Sequence, residues 1–202
     1  MRIWDRADWV RTVYYDRLST VCKALFAGGP SLTLRTLEYA ECAGVIPRII
    51  SEFATVHLTC APYPKYDIQE DQFPNNEFDV VIADQVLEHV PHVMKAVKNC
   101  VRMCKPGGIL IFGTPWVYPY HAAPKDYWRI SRDAYQMMFD EFGVETIEIG
   151  GWGHKEALIF GNQTDGFLTT NRTVEQALKA GLFDIPNDSD HAIEVWAVGR
   201  KR

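Results

Sequence analysis

A chain of 202 residues, 47% hydrophobic and 23% charged, carries apolar material for one sizeable core and too little for two. Its net charge of -5 argues against a life on nucleic acid or on an anionic membrane surface. Arg2, Asp5, Arg6, Asp8 and Arg11 give the start of the chain a charge pattern unlike a signal peptide, and no apolar run approaches bilayer length. The expectation is one domain over 1–202. Its five cysteines, odd in number and mostly in apolar segments, suit buried thiols in a reducing cytoplasm.

In chain order, Trp4 to Phe26 repeats apolar residues at helical spacing, so residues 1–28 read as an N-terminal helix that covers the sheet or walls a cleft. Gly28-Gly29-Pro30 ends it. Leu32 to Tyr39 reads as a strand. Ala43 to Phe53 reads as a helix in which Pro47 is tolerable only in the first turn. Thr55 to Cys60 reads as a second strand, followed by a Pro-rich loop and the polar, turn-like Asp67 to Asn76. The centre of the chain is FDVVIADQVLEHVPHVMKAVKNCVRMCKPGGILIFGTP, residues 78–115. Phe78 to Ala83 is an apolar, β-branched run suited to a strand buried on both faces. Val86 to Met103 has helical spacing, Pro106-Gly107-Gly108 stops it, and Ile109 to Phe112 is a further strand. Such a strand–helix–strand unit is a right-handed crossover in a parallel sheet. Trp116 to Trp128 is an aromatic loop. Ser131 to Phe142 is a helix with a capping serine, Val144 to Ile149 a strand, 151–190 poorly patterned, and Ala192 to Val198 a last strand. The order predicts an α/β fold: one mostly parallel sheet with helices on both faces.

Ligands of such sheets bind beyond the carboxyl ends of the strands. The candidate segments are therefore 40–44, 60–64, 67–68, 84–89 and 114–129. His89 is either a base or a polar cap. Glu88, His89 and His92 hint at a metal, but Pro91 distorts their spacing, and Cys100 with Cys104 lack a second ligand pair, so no metal is expected.

FDVVIADQVLEHV followed by KPGGILIFGTP resembles the class I S-adenosylmethionine-dependent methyltransferases, in the branch with Leu-Glu-His-Val after the fourth strand. DIQEDQFPNNEFD, from Asp67 to Asp79, has that family's spacing of acid, turn and strand start. PWVYPYHAAPKDYWRIS and SDHAIEVWAVGRK are similar to the loop and last strand of a subset of it. The resemblance runs from about Leu32 to Lys201. It implies a Rossmann-like sheet of seven strands, the last antiparallel and inserted between its neighbours, with S-adenosylmethionine as cofactor. The family's glycine-rich turn falls on Glu38 to Gly44. Only Gly44 stands where a glycine is expected, Ala40 and Cys42 replace the others, and Glu41 intrudes. The family's ribose-binding acid falls at Cys60, which is no acid.

By the same resemblance Asp67 accepts from the adenine amino group and Ile68 packs on the ring, while Asp84 and Gln85 border the methionine end. The residues alone leave Asp67 equally a turn-forming carboxylate and Asp84 and Gln85 ordinary strand-end polarity. Methyl transfer to a hydroxyl needs a base, and His121 in the 115–130 acceptor loop is the first choice, with His89 next. Asp126, Tyr127, Trp128 and Arg129 shape an acceptor pocket or pack as a lid. Trp116 and Tyr120 offer rings for stacking a sugar. The expected function is O-methylation of a small polar acceptor such as a sugar hydroxyl, with neither nucleic acid nor membrane as partner. The competing reading is a methyltransferase-like binding module that has lost its cofactor. A nicotinamide dehydrogenase is a poor third option, because no G-x-G-x-x-G follows the first strand.

Overall fold

The computed structural model describes residues 9–40, 44–163 and 174–202. Expectations for the first eight residues, for Glu41 and Cys42, and for the helix start at Ala43 lie outside them.

The alternation of Val80 and Ile82 against Val81 and Ala83 sends apolar side chains to both faces of β3 (Phe78–Asp84), where all four are fully buried. Val80 and Ile82 join one core with α1 (Thr12–Leu25) and α2 (Val45–Ser51). Val81 and Ala83 join a second core with α3 (Val93–Met103) and α4 (Arg132–Glu141). The molecule is thus three layers deep, with β3 central because it is apolar on both sides.

Around it, β1 (Thr33–Glu38), β2 (Thr55–Cys60) and β4 (Cys104–Pro115) run parallel to β3. β6 (Ala192–Lys201) lies antiparallel between β4 and β5 (Val144–Gly153), giving the order β2-β1-β3-β4-β6-β5. The inserted antiparallel strand is as the family resemblance implies. The sheet has six strands among the described residues, not seven. The missing one would lie in 61–77, which is polar and turn-rich and makes no ladder. The residue pattern, which showed no strand there, prevails over the resemblance.

The helix expected from Val86 begins only at Val93. Leu87–His89 is a single 3-10 turn, after which Val90 is extended at φ -106°, ψ 116°. Pro91 is the cause: its ring disfavours helical backbone in the residue before it. This interruption turns Glu88 and His89 away from the helix and toward the strand tips. Pro47 sits in the first turn of α2, as expected. Ser131 caps α4, its hydroxyl accepting from the Ala134 N–H at 3.1 Å. The stretch 151–190 contains α5 (Lys155–Asn162) and α6 (Val174–Lys179), short helices whose apolar residues give no sustained period. Cys22, Cys100 and Cys104 are buried free thiols, but Cys60 is disulfide-bonded, a departure from the expectation of thiols throughout. Among the described residues no helix is long and apolar enough to cross a membrane.

Candidate functional site

A cavity of about 590 Å³ opens at the carboxyl ends of β1, β2 and β3. Tyr39 and Ala40 follow β1, Ala61 and Pro62 follow β2, and Gln85, Val86 and His89 follow β3. Asp67 and Ile68 line one wall, and Pro124, Lys125 and Tyr127 of the acceptor loop close the other. Among the described residues α1 contributes none of this lining, and its apolar face packs on the sheet.

The floor holds an unusual number of carboxylates. Glu38, almost wholly buried at the end of β1, is pushed up to about 7 by burial and then by the nearby Asp84, while the Gly44 N–H donates to it. A Cβ at residue 44 would collide with this carboxylate, so glycine is required there by space. Asp84 accepts from Tyr15 Oη at 2.8 Å, a contact that Gly113 permits by leaving room for Asp84 and Tyr14. Burial raises the Asp84 carboxyl too. Gln85 has φ +57°, left-handed backbone costing an L-residue about 1–2 kcal/mol. That geometry places its amide to donate to Asp84 Oδ1 at 3.3 Å and to the buried Glu194 Oε1 at 2.6 Å.

At the acceptor end, the Glu88 side chain is fully buried and neither carboxylate oxygen has a hydrogen-bond partner. Desolvation, reinforced by Asp84, pushes it up to about 8. His89 Nε2 lies 3.6 Å and His121 Nε2 3.9 Å from Glu88 Oε1. The two imidazoles meet edge to face at 4.9 Å. His121 is lowered, first by burial and next by His89, which favours its neutral form. The loop carrying His121 is pinned in place. Tyr127 and Trp128 N–H groups both donate to the Glu88 carbonyl, and Trp128 Nε1 donates to the Val90 carbonyl. Arg129 donates to both oxygens of Asp126, at 2.6 and 2.9 Å, and to the Tyr118 and Pro119 carbonyls. That pair holds the Asp126 carboxyl down at about 2.

Comparison with known proteins now reads directly onto this geometry. Residues 47–112 match the model of a family described as a methyltransferase domain. That match covers about a third of the chain and shows a resemblance to methyltransferase domains in its central strand–helix–strand region. An 81-residue stretch is 36% identical to a Mycolicibacterium smegmatis protein named "Probable S-adenosylmethionine-dependent methyltransferase/", covering 36% of this chain and 32% of that one. An 86-residue stretch is 31% identical to the ubiquinone biosynthesis O-methyltransferase of Pseudomonas fluorescens, covering 41% of this chain and 37% of that one. The matched stretch thus spans about a third of the length of these relatives.

Among solved structures, a Burkholderia thailandensis 1,6-didemethyltoxoflavin-N1-methyltransferase with its substrate and S-adenosylhomocysteine bound superposes at TM-score 0.57. It is 9% identical and covers 95% of this chain and 81% of that one. An S-adenosylmethionine dependent methyltransferase of Mesorhizobium loti gives 0.55 at 13% identity, covering 90% and 96%. These likenesses show the methyltransferase fold.

The structure brings Ala40, Asp67, Ile68, Gln85, His89 and Tyr127 together around one cavity. Glu38, Gly44 and Asp84 lie beside or beneath it rather than on its wall. Asp67 is engaged as the plain reading expected: its Oδ1 accepts the Gln69 N–H at 2.9 Å in an Asx turn, and its carboxylate also accepts from Gln69 Nε2. Cys60 ends β2 without a carboxylate to offer. Asp126 and Arg129 satisfy one another and knit the loop instead of facing the cavity. Trp128 is half exposed, Trp116 packs against the core, and Tyr120 is 71% exposed, outside the cavity lining. His92 is exposed, and the group that gathers is Glu88, His89 and His121. Sequence reasoning missed Tyr39, Tyr66 and Lys125 as lining residues. The aromatic content of 61–66 was the available signal for Tyr66.

Proposed function

We propose that this chain transfers the methyl group of S-adenosylmethionine to an oxygen of a small polar acceptor, with a sugar hydroxyl as the leading class. One observation carries the reading: a single cavity joins Asp67 and Ile68 at one end to His89 at the other, across the tips of β1 and β3. Its size is within the usual range for small-molecule sites, and its wall combines Tyr39, Tyr66, Ile68 and Val86 with few polar groups, as a nucleoside requires. The cofactor supplies an electrophilic methyl on a sulfonium.

The residues then have separable tasks. Asp67 and Ile68 hold the adenine, the carboxylate by accepting from its amino group. Burial raises the carboxyls of Asp84 and Glu194 beneath the methionine end, and a cationic donor favours their ionised form, so by linkage they favour the sulfonium over its neutral product. Acceptor attack requires an oxygen in line behind the methyl carbon and removal of its proton. The cluster of Glu88, His89 and His121 is the group of proton acceptors on that side. Tyr127 on the wall and the exposed ring of Tyr120 at the rim suit stacking against a sugar face.

The test is transfer of radiolabelled methyl from S-adenosylmethionine to a panel of polyhydroxylated acceptors. His121→Ala is expected to lower turnover by about 10²–10⁴-fold, the usual worth of a positioned proton acceptor, with cofactor affinity unchanged. Absence of transfer to every hydroxyl acceptor, or full turnover in that variant, would refute the assignment.

A further inference from the structure

We propose that Glu88, His89 and His121 form a binding site for one divalent transition-metal ion of the zinc type, at the acceptor end of the cavity. The metal site stands on its own geometry; its role toward an acceptor hydroxyl rests on the methyl-transfer reading above.

The argument begins with hydrogen positions. His89 Nδ1 lies 2.6 Å from the Lys125 carbonyl oxygen, a contact that is favourable only if this nitrogen carries the proton. Its Nε2 therefore presents a lone pair, and Nε2 faces Glu88 Oε1 at 3.6 Å. His121 Nε2 lies 3.9 Å from the same Glu88 oxygen, while its buried Nδ1, 3.4 Å from Asp126 Oδ2, makes no hydrogen bond. Glu88 itself is fully buried, with both oxygens unpartnered. The nearby guanidinium of Arg129 is committed to Asp126 and to loop carbonyls.

Three potential ligand atoms therefore converge, all within 4.8 Å of one another, and neither Glu88 oxygen has a hydrogen-bond partner. A buried carboxylate left so costs several kcal/mol unless a positive centre joins it. A proton satisfies one pair; a dication satisfies all three. Bonds of ~2.0–2.2 Å to a tetrahedral zinc-type ion put neighbouring ligand atoms ~3.3–3.5 Å apart, so the two contacts to Glu88 close by a few tenths of an ångström and the two imidazoles, within 4.8 Å, by up to about 1.5 Å through side-chain rotation. Two imidazoles and one carboxylate with a position left open is a donor set for zinc, iron(II) or manganese. The outer partner of His89 also fits, since ligating histidines donate their other N–H to a carbonyl or carboxylate. Of the three, His89 lines the cavity, with Lys125 beside it, so the site adjoins the cavity at His89.

With the ion bound, these three side chains would serve as its ligands in place of a proton acceptor. The ion would bind the acceptor hydroxyl and ease loss of its proton to water. The oxygen lone pair then forms the bond to the methyl carbon as the carbon–sulfur bond breaks, its electron pair going to sulfur. The products are a methyl ether, a neutral thioether and one proton.

The experiment is titration of the metal-free protein with Co²⁺, followed by visible absorption and calorimetry, with S-adenosylhomocysteine binding measured separately on the same sample. One Co²⁺ per chain with nitrogen–oxygen ligand bands is expected. His89→Ala and His121→Ala are each expected to weaken binding by more than about tenfold, and His92→Ala to leave it unchanged. His121 lies on a surface loop, so its variant keeps the test decisive even if Glu88→Gln disturbs folding. No bound Co²⁺, thiolate bands, or unchanged binding in both histidine variants would overturn the site. Co²⁺ binding without S-adenosylhomocysteine binding would sink the methyl-transfer reading and leave the metal site standing; the reverse would sink only the metal.

Discussion

Replacing Glu38 by glutamine should change how stability depends on pH, by an amount the structure sets. Glu38 is 2% exposed, and burial together with Asp84 moves its carboxyl from an ordinary 4.5 to about 7. The folded state therefore binds this proton more tightly than the unfolded state. The stability linked to it is fully present below pH 4.5 and is lost as pH rises through about 7. At about 1.4 kcal/mol per factor of ten in proton affinity, that loss reaches about 3 kcal/mol by pH 8. Glutamine is nearly isosteric, keeps an oxygen to accept the Gly44 N–H and does not ionise. Urea unfolding at a series of pH values should show Glu38→Gln gaining about 3 kcal/mol on the parent between pH 4 and pH 8. Parallel stability curves across that window would refute the burial argument for this carboxylate.

Arg129→Met should cost about 3 kcal/mol, because it leaves the Asp126 carboxylate, only 4% exposed, without its cation. The acceptor loop should then loosen against Glu88 and Val90, visible as altered tryptophan fluorescence from Trp128. A loss under about 0.5 kcal/mol would mean that the pair does not hold the loop. Ser131→Ala should cost about 1 kcal/mol by removing the α4 cap, with cofactor and metal binding unaffected, and thermal unfolding reads the difference.

The layers of this fold are legible where side-chain period and burial agree. β3 announces itself by the unbroken apolar run Val80 to Ala83, and Ser131 followed by Asp133 marks the α4 start. The Val86–Val90 stretch misled because its apolar spacing suits a helix while Pro91 forbids one. Where pattern and local backbone chemistry conflict, the steric rule wins. The seventh strand came from resemblance alone and had no residue pattern beneath it. The acidic residues of the site were visible as types, but not their partners. Tyr15 reaches Asp84 across 69 positions, and Gln85 reaches Glu194 across 109. His121 meets Glu88 only because a loop folds back and is tied by Asp126 and Arg129. Nothing in the spacing of 88, 89 and 121 encodes that meeting; the spacing pointed to His92. Asp67 shows the remaining gap: its turn-forming role follows from local chemistry, whereas a ligand role depends on which groups share its cavity.

The central claim is that the cavity bounded by Asp67, Gln85 and His89 takes the nucleoside of S-adenosylmethionine. Calorimetric titration with S-adenosylhomocysteine, comparing the parent with Asp67→Ala, tests it most directly. The account predicts one site per chain and an affinity about tenfold to a hundredfold weaker in the variant, the worth of a hydrogen bond to a charged group. No heat of binding at millimolar ligand in a folded parent, or equal affinity in both proteins, would contradict it.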